Sequence, residues 1–437
     1  MDHDELTHLL RRTEFVVRPE RVTELSALSR ADAVANILDV GQNGTPALPV
    51  YFQSEHLDHG WEQYVAACSW WLDRMVNTPR PMQEKMTLFW HGHFTSAWWD
   101  VGKGYHMMLQ NHLYRQYALG DFRQLTQKMA LEPAMLVYLS NAVNVKGEPN
   151  QNFARELMEL FTLGVGNYTE ADVDASARAW TGHNADWPAY VYQFRSSRHD
   201  NFDKTFFGTT KNWDGPDIID EILRDNPTKK VVAARFIVKK LWQFFAHLSP
   251  PATLVEELAD VFLATTPGPL DLQQLMQALL TRDEFYSTTA RTGLVRTPIE
   301  WFAALSFYTG LNGDNMGVAW AAEATGQQFF QPPNVSGWRP NGYWLNTSAL
   351  NGRAQIARSA TWRLRDQHGF DEVYDMTAAQ AVDYVAQFFG IHPLSTATRD
   401  ALITGHQAAL DATPWVNWWA ATNLLTMILL TPEFHMA

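Results

Sequence analysis

The sequence has 437 residues, with 34 lysines and arginines against 47 aspartates and glutamates, which gives a formal charge of −13. Apolar residues make up 46% of the chain and charged residues 19%, a balance that excludes a disordered protein. The single cysteine excludes an internal disulfide and a zinc site built from cysteines. The negative charge argues against a general nucleic-acid-binding protein, which needs basic surface to neutralise phosphates.

Apolar residues at helical spacing predict helices along most of the chain. An early helix covers 61–77, and the next one opens at Pro81 and carries a histidine-rich end. A further helix is expected from about 149 to 163, where glycines end it. Thr169 and Asp172 then predict a capping box at the start of the following helix.

The pattern changes after that helix. Between 189 and 208, aromatic and β-branched residues alternate around a polar centre, which predicts a small β-hairpin. Helical spacing returns after Gly215 and is interrupted by a proline- and glycine-rich loop at 332–342. We therefore expect an all-α fold with one small β-hairpin insertion near 189–208. The whole chain is predicted to form a single large helical domain, with a subdivision near residue 215 as the alternative.

The sequence also bears on the compartment. The N-terminal residues are acidic before they are basic, and no apolar segment follows them, which is not the pattern of a secretory signal. No stretch approaches the roughly 18 uninterrupted apolar residues of a membrane span. We therefore expect a cytoplasmic protein that does not enter a membrane.

The first polar cluster lies at the end of the helix that Pro81 opens. His91 and His93 are separated by Gly92, which would let the backbone turn so that both rings face one metal ion. Glu84 lies seven residues before His91 and shares its helix face. Histidines with a carboxylate suit zinc, iron or manganese, so we predict that these three residues bind one divalent metal. The alternative is a pair of core histidines bonded to backbone carbonyls.

The second cluster is a polar stripe on the helix at 149–163. Asn152, Arg155, Glu156 and Glu159 are spaced so that they share one helix face. Two carboxylates one turn apart can act as acid and base when their environments differ. Arg155 can clamp an anionic substrate with paired hydrogen bonds. We predict these three charged residues to be catalytic and Asn152 to contact substrate; a structural network is the alternative.

The third cluster is the centre of the predicted hairpin, where His199 and Lys204 are predicted to be catalytic because loops often carry function. An exposed polar turn is the alternative. The fourth cluster is the proline-rich loop, which contains Asn334, Trp338 and Trp344. These residues, with Trp90 beside the histidine pair, are predicted to contact substrate as a stacking platform or pocket cover. The alternative is that they anchor the loop in the core.

Several familiar motifs are missing. The sequence has no phosphate-binding glycine loop, no nucleophile elbow and no haem-attachment motif. No nucleotide or haem cofactor is therefore expected beside the divalent metal.

Long strings of the sequence contain these clusters, namely PRPMQEKMTLFWHGHFTS, NQNFARELMELFTLGVGNYTEADVDASARAWTGH and QPPNVSGWRPNGYWLNTSAL. With LLRRTEF, HDNFDKTFFG and AARFIVKKLWQFF they resemble the bacterial family catalogued as domain of unknown function 1800, over nearly the whole chain. The resemblance implies one large helical domain in which all four clusters share a site. It also implies a functional partner from a neighbouring family that resembles phosphatases and sulfatases. In some relatives a histidine stands at the position of Phe161.

The leading prediction is a metal-dependent enzyme with a buried His/Glu site, in which metal-activated water or oxygen acts on a small or anionic substrate. One alternative is a metal-free, carbohydrate-active hydrolase in which Glu156 and Glu159 are acid and base. The other is a non-catalytic helical scaffold or binding protein. The expected ligand is a small molecule or saccharide, and neither nucleic acid nor a membrane is expected as a partner.

Overall fold

The computed structural model describes residues 1–41, 47–49, 52, 60–186, 189–266, 268–368, 370–391, 393–412 and 417–437, with the side chains of 365–368 excepted. Helices cover most of these residues, and the β-structure consists of two small two-stranded sheets. This confirms the predicted all-α fold with a small β insertion. Within the described ranges, the helices are all too short or too polar to cross a membrane.

Helices of the first half of the chain surround one central helix, α5. These helices are α1 (His3–Glu14), α2 (Pro19–Leu25), α3 (Arg30–Leu38), α4 (Gly60–Asn77), α5 (Pro81–His93), α6 (Trp98–Val101), α7 (Gly104–Gln116), α8 (Phe122–Ala130), α9 (Pro133–Tyr138), α10 (Asn152–Glu156) and α11 (Glu170–Ala179). Pro81 occupies the first turn of α5, as expected for a residue that needs no amide partner there. The predicted capping box of Thr169 and Asp172 begins α11.

Helices of the second half follow the β insertion. They are α12 (Gly215–Asp220), α13 (Lys229–Phe245), α14 (Ala252–Leu263), α15 (Leu272–Thr281), α16 (Thr288–Arg291), α17 (Pro298–Thr309), α18 (Gly313–Met316), α19 (Val318–Ala324), α20 (Thr347–His368), α21 (Ala378–Phe388), α22 (Thr396–Ala412), α23 (Asn417–Ile428) and α24 (Pro432–His435). Wide π-helical turns extend two of the helices, at Leu157–Thr162 after α10 and at Glu221–Asp225 after α12.

The β insertion consists of two hairpins. Strand β1 (His183–Asp186) pairs antiparallel with β2 (Val191–Phe194), and β3 (Lys204–Phe206) pairs with β4 (Thr209–Lys211). The predicted range 189–208 therefore contains strands of both sheets, and a 3-10 turn joins them. The sequence pattern does not predict the outer strands β1 and β4, because both are short and polar and lack the alternation that marks a half-buried strand.

The apolar side chains form two hydrophobic clusters that meet along α5. The first cluster includes α8 and α13–α15, and the second includes α4, α17 and α19–α23. From α5, Phe89 belongs to the first cluster and Leu88 to the second, while Phe244 of α13 packs against both. The first cluster draws on both sides of residue 215. Whether the chain divides near that residue stays a prediction.

Gly215 is predicted to be intolerant of a side chain. It begins α12 against the buried Trp180, and an added Cβ would lie 2.5 Å from the indole ring. Because a rigid aromatic ring cannot yield, Gly215→Ala should lower the free energy of unfolding by about 1–3 kcal/mol. Urea unfolding measures this change.

Gly405, in the middle of α22, is the matched control. An added Cβ there has no described atom within 4 Å. Alanine favours a helix interior over glycine by roughly 0.5–1 kcal/mol, so Gly405→Ala should stabilise the protein. Equal effects of the two substitutions would contradict the proposed overlap with Trp180.

Candidate functional site

The central helix α5 carries four ionisable side chains that lie inside the protein. Glu84, Lys85, His91 and His93 are each at most 3% exposed. A buried charge is costly unless the protein supplies a partner, so each of these groups must be paired or neutral. Their partners decide which of them remain available for chemistry.

Glu84 is the anion of a buried ion-pair network. Its carboxylate accepts hydrogen bonds from Trp71 Nε1 at 3.0 Å, from Arg74 Nε at 2.5 Å, and from Arg115 Nε and Nη2 at 2.6 and 2.8 Å. Burial opposes the charged form, but the two guanidiniums outweigh it and hold the pKa of Glu84 below its ordinary value. The assignment of Glu84 as a metal ligand is corrected accordingly, because arginines and a tryptophan already surround its oxygens.

The two histidines have different environments. The His91 ring contacts Trp71, Phe330 and Trp338 at centroid distances of 5.2–5.5 Å. Burial lowers its pKa to about 3, so the ring is neutral, and its Nε2 has no hydrogen-bond partner among the described residues. His93 Nε2 donates to the Phe161 carbonyl oxygen at 3.0 Å, which leaves Nδ1 as an acceptor.

The predicted metal ligands do not fit a metal. Both ring nitrogens of His93 are engaged, since its Nδ1 accepts from Lys240 Nζ at 3.3 Å, and Glu84 is paired. Among the predicted ligand atoms discussed above, His91 Nε2 is the one without a partner, whereas a metal site needs three or four ligand atoms. The described part of the chain contains no group of three His, Cys, Asp or Glu side chains that could hold a metal ion.

A cavity of about 260 Å³ lies beside His93, where the two hydrophobic clusters meet. We call it the Lys240 cavity. Its walls come from α5, α13 and the loop before α20. The aromatic lining is Phe89, Phe244, Trp338 and Trp344, and the polar lining includes His93, Lys240, Gln243, Gln327 and Arg339. A larger groove between α22 and α23, about 750 Å³, is more apolar and has no such set of charged groups among its described lining residues.

Lys240 is the most perturbed charged group of this cavity. Burial lowers its pKa to about 8. Its ammonium donates to His93 Nδ1 and, at 3.2 Å, to the carbonyl oxygen of Leu160. The π-helical turn at Leu157–Thr162 presents this carbonyl and that of Phe161, and such turns are frequent at functional sites. An ammonium has three protons, so one remains for a ligand.

The proline-rich loop covers the cavity through a contact between two glycines. Gly337 has φ +77, and an added Cβ there would overlap the carbonyl oxygen of Gly92 at the end of α5. This close approach seats Trp338 over His91, and Trp338 and Trp344 both line the cavity. Their predicted role as pocket walls therefore stays open to test.

Asn334 and Trp90 have structural partners instead of a place in the cavity lining. Asn334 is exposed, and its side chain accepts from the backbone amide of Ser336 at 2.9 Å, which fixes the loop turn. Trp90 is fully buried and donates through Nε1 to the carbonyl oxygen of Ala118 at 3.0 Å. Both contacts position backbone, and direct contact of these two residues with substrate stays a prediction.

The polar stripe on α10 and the π-helical turn after it is exposed or partly exposed, and none of its residues is among those that line the cavity. Arg155 donates through Nη1 and Nη2 to Glu170 at 2.8 and 2.7 Å, and Glu159 accepts from the Tyr168 hydroxyl. Asn152 is exposed. Burial, together with Glu159, raises the pKa of the half-buried Glu156. The structural network, which was the alternative for this stripe, accounts for Arg155 and Glu159.

The hairpin residues hold the β insertion together. His199 is buried and donates through Nδ1 to the Thr181 carbonyl oxygen at 2.8 Å. Lys204 donates to the carbonyl oxygens of Asp200 and Trp213 at 2.5 and 2.8 Å and to Asn212 Oδ1 at 2.9 Å. These bonds use all three ammonium protons of Lys204, which favours a structural role, and its catalytic role stays a prediction. Neither residue is among those that line the Lys240 cavity.

Sequence reasoning did not single out Lys240. A signal was present, because Lys240 follows Phe236 and Ile237 at helical spacing, on the apolar side of α13, whereas Lys239 lies on the exposed side. It also missed His183, whose Nε2 lies 2.8 Å from Asp214 Oδ1 and whose Nδ1 lies 3.1 Å from the Tyr192 hydroxyl. That pair joins β1 to the start of α12.

The fold and the cavity together define a large helical protein with a charged, aromatic-walled pocket between two cores. A family model described as "Protein of unknown function (DUF1800)" matches residues 8–436, and the chain belongs to that family. No curated protein matches the chain, and no solved structure matches it either.

Replacing Glu84 is predicted to destabilise the protein strongly. In Glu84→Gln, Arg74 and Arg115 lose the carboxylate that neutralises them inside the protein. Breaking one side of a buried ion pair costs about 3–5 kcal/mol, and we expect a loss of that size in the free energy of unfolding. Glu170→Gln is the matched control, since it removes the carboxylate partner of the more exposed Arg155, and it should change stability little.

The pH dependence gives a second check on Glu84. Its folded-state pKa is lowered from the ordinary value of 4.5, so its ion pairs stabilise the fold above pH 4.5. That stabilisation is lost as the pH falls through the lower, folded-state pKa. Over this acidic window, the free energy of unfolding of the wild type should fall more steeply with decreasing pH than that of Glu84→Gln. Parallel pH profiles would contradict the assignment.

The metal hypothesis has its own direct test. Elemental analysis of protein purified without added metal would support it if one divalent metal is found in stoichiometric amount. A stoichiometry near zero, together with unchanged stability in chelator, would contradict it.

Proposed function

We propose that the chain binds a small, ring-bearing anion in the Lys240 cavity and that Lys240 exchanges a proton with this ligand. The observation that carries the proposal is a partly exposed ammonium, with its pKa lowered to about 8, at a pocket walled by aromatic rings. The volume of about 260 Å³ is just under the roughly 300–1,000 Å³ of typical ligand pockets, which favours a small ligand.

The charges of the lining favour an anion. Lys240 and Arg339 supply positive charge, while the described lining residues include no aspartate or glutamate. A cleft lined by one sign of charge with apolar walls concentrates ligands of the opposite sign. A ligand carboxylate can accept a charge-assisted hydrogen bond from the remaining proton of the Lys240 ammonium.

The aromatic walls favour a ring. Phe244 and Trp338 line the cavity from two different elements, α13 and the proline-rich loop. Aromatic side chains contribute large apolar contact areas and pair with a ligand ring in stacked or edge-on geometry. The anion and the ring together describe a small cyclic carboxylate or a related compound.

The state of Lys240 suits it to general acid catalysis. A group with a pKa near the working pH is the most effective general acid or base. Lys240 is mostly protonated at neutral pH, so it holds the anion; because a carboxylate is far less basic than the Lys240 amine, the proton that Lys240 donates goes to another, more basic atom of the ligand. His93 stays neutral because burial and the nearby Lys240 keep its pKa well below the ordinary value, and its Nδ1 orients the ammonium.

The other functional predictions have less support. The paired glutamates of a carbohydrate hydrolase lie outside the described lining of this cavity. Local hydrogen bonds satisfy Arg155 and Lys204, as we would expect if the protein were a non-catalytic scaffold. The phosphatase- or sulfatase-like partner and the cytoplasmic location stay predictions.

Benzoate and its neutral analogue benzamide test the proposal. The wild type should bind benzoate about 10- to 100-fold more tightly than benzamide at pH 7, since a hydrogen bond to a charged group contributes roughly 1.5–3 kcal/mol. This preference should fade as the pH rises above 8, where Lys240 loses its charge. Quenching of tryptophan fluorescence, with Trp338 in the pocket wall, measures both affinities.

Lys240→Met should abolish the preference for benzoate, whereas Lys239→Met should retain it. Lys239 is the matched control because it is the neighbouring lysine on the exposed side of α13. If the two variants lose the preference equally, or if the wild type has none, the proposed binding site is incorrect.

A further inference from the structure

Behind the Lys240 cavity lies a group of buried charges that do not balance. We call it the Glu300 cluster, and it consists of Arg12, Lys85, Arg296, Glu300 and Arg353. Each of these side chains is at most 6% exposed. Four are cations and one is an anion, so the cluster carries an excess of positive charge inside the protein.

The surroundings do not remove this excess. Glu300 accepts a hydrogen bond from Lys85, which uses the one carboxylate of the cluster. Glu14 is also buried, but Arg18 and Arg21 pair with it at 3.8 and 2.8 Å. Arg11 adds further positive charge beside Arg12 and Arg296.

The remaining side chains around the cluster are neutral, and the C-terminal carboxylate of Ala437, which lines a cavity beside Arg12, still leaves more cations than anions. Burial, with Arg353 and Arg296 nearby, lowers the pKa of His435 to about 3, so its ring carries no charge. Burial likewise raises the pKa of Tyr308, which keeps its hydroxyl protonated. His8, beside Arg12, also has its pKa lowered to about 3 by burial.

Backbone carbonyls and a histidine satisfy part of the guanidinium groups. Arg296 Nη1 donates to the Phe434 carbonyl oxygen at 3.0 Å, and Arg353 donates to the Arg296 carbonyl oxygen and to His435 Nδ1 at 3.1 and 3.0 Å. Arg12 Nη2 donates to the Ala290 carbonyl oxygen at 2.5 Å. These acceptors are dipoles without a net charge, so they leave the positive excess in place.

Arg12 retains two unused donors. Its Nε and Nη1 are buried and have no hydrogen-bond partner among the described residues. Burial lowers the pKa of Arg12 to about 9, which still leaves the guanidinium charged at neutral pH. A buried, charged group with unmade hydrogen bonds is strongly unfavourable unless something else binds there.

A small cavity of about 50 Å³ adjoins Arg12, Lys85 and Glu300. We call it the Arg12 cavity. A water molecule needs about 10–15 Å³ of such space, so the cavity has room for one small anion or a few waters. It shares Phe244 and Thr297 with the Lys240 cavity, and the two are therefore neighbours.

We propose that the Arg12 cavity binds a small anion, of halide or carboxylate size, through Arg12 and Lys85. The anion supplies the missing negative charge and accepts hydrogen bonds from the unused donors of Arg12. It has two sources, a free inorganic ion or the carboxylate of a ligand that extends in from the Lys240 cavity. The site does not depend on the proposed function, because Lys240 is not among its lining residues.

Bromide, a heavy substitute for chloride, locates the site in the wild-type protein. Crystals of the full chain soaked in sodium bromide should give an anomalous peak within hydrogen-bond distance of Arg12 Nε or Nη1. The proposal is overturned if bromide binds on the surface while the Arg12 cavity contains only waters, or the carboxylate of Ala437, which also lines it.

Thermal unfolding tests the site in solution. At constant ionic strength, exchanging gluconate, which is too large for the cavity, for chloride should raise the wild-type Tm by on the order of 2 °C per tenfold increase in chloride. Arg12→Met should lose this dependence. Arg235→Met, which removes an exposed arginine paired with Glu256, is the matched control and should keep it.

Two further results separate the possibilities. If Arg12→Met does not fold, the bromide peak in the wild type decides the proposal by itself. Lys240→Met should keep the chloride dependence even if it loses benzoate, so failure of the proposed function leaves this site standing. Bromide displaced by added benzoate identifies the ligand carboxylate as the occupant, and bromide retained beside benzoate identifies a free ion.

Discussion

The burial of α5 is the constraint on which the rest of the structure depends. This helix has almost no solvent-facing side, yet it carries Glu84, Lys85 and two histidines. Because water cannot solvate these groups, the surrounding helices must pair them or keep them neutral. Arg115 from α7 pairs with Glu84, and Glu300 at the start of α17 pairs with Lys85. Ion pairs as well as apolar packing thus join α5 to its neighbours.

The same constraint explains where the open chemistry lies. Glu84, Lys85 and His93 on α5 are engaged by partners, and His91 keeps an unpartnered Nε2 among aromatic rings, so the cationic groups with unused donors are on neighbouring elements. Lys240 of α13 and Arg12 of α1 both line cavities, to which Arg339 and Lys85 add further positive charge. The two cavities share Phe244, the side chain that touches both hydrophobic clusters. The cavities at the junction of the two clusters are therefore lined by more cationic than anionic side chains.

The sequence predicts the fold better than it predicts the site. Helical spacing, proline starts and the Thr169 capping box are local signals, and the structure follows them closely. The β insertion was recognised, but its pairing was not, because β1 and β4 lack a marked pattern. At the site, the spacing of Glu84 and His91 correctly implied a shared helix face. It could not reveal that Arg74 and Arg115 reach that face from α4 and α7.

The sequence by itself determined the family, the helical class and the aromatic content of the proline-rich loop, because composition and local pattern encode these directly. Tertiary structure alone decided which polar residues remain available. Arg155 and Lys204 look reactive in sequence, yet Glu170 and three local acceptors engage them. Lys240 and Arg12 look ordinary, yet long-range packing buries them at cavities. Whether a charge is paired depends on groups that are distant in sequence, and the local sequence pattern does not indicate which groups these are.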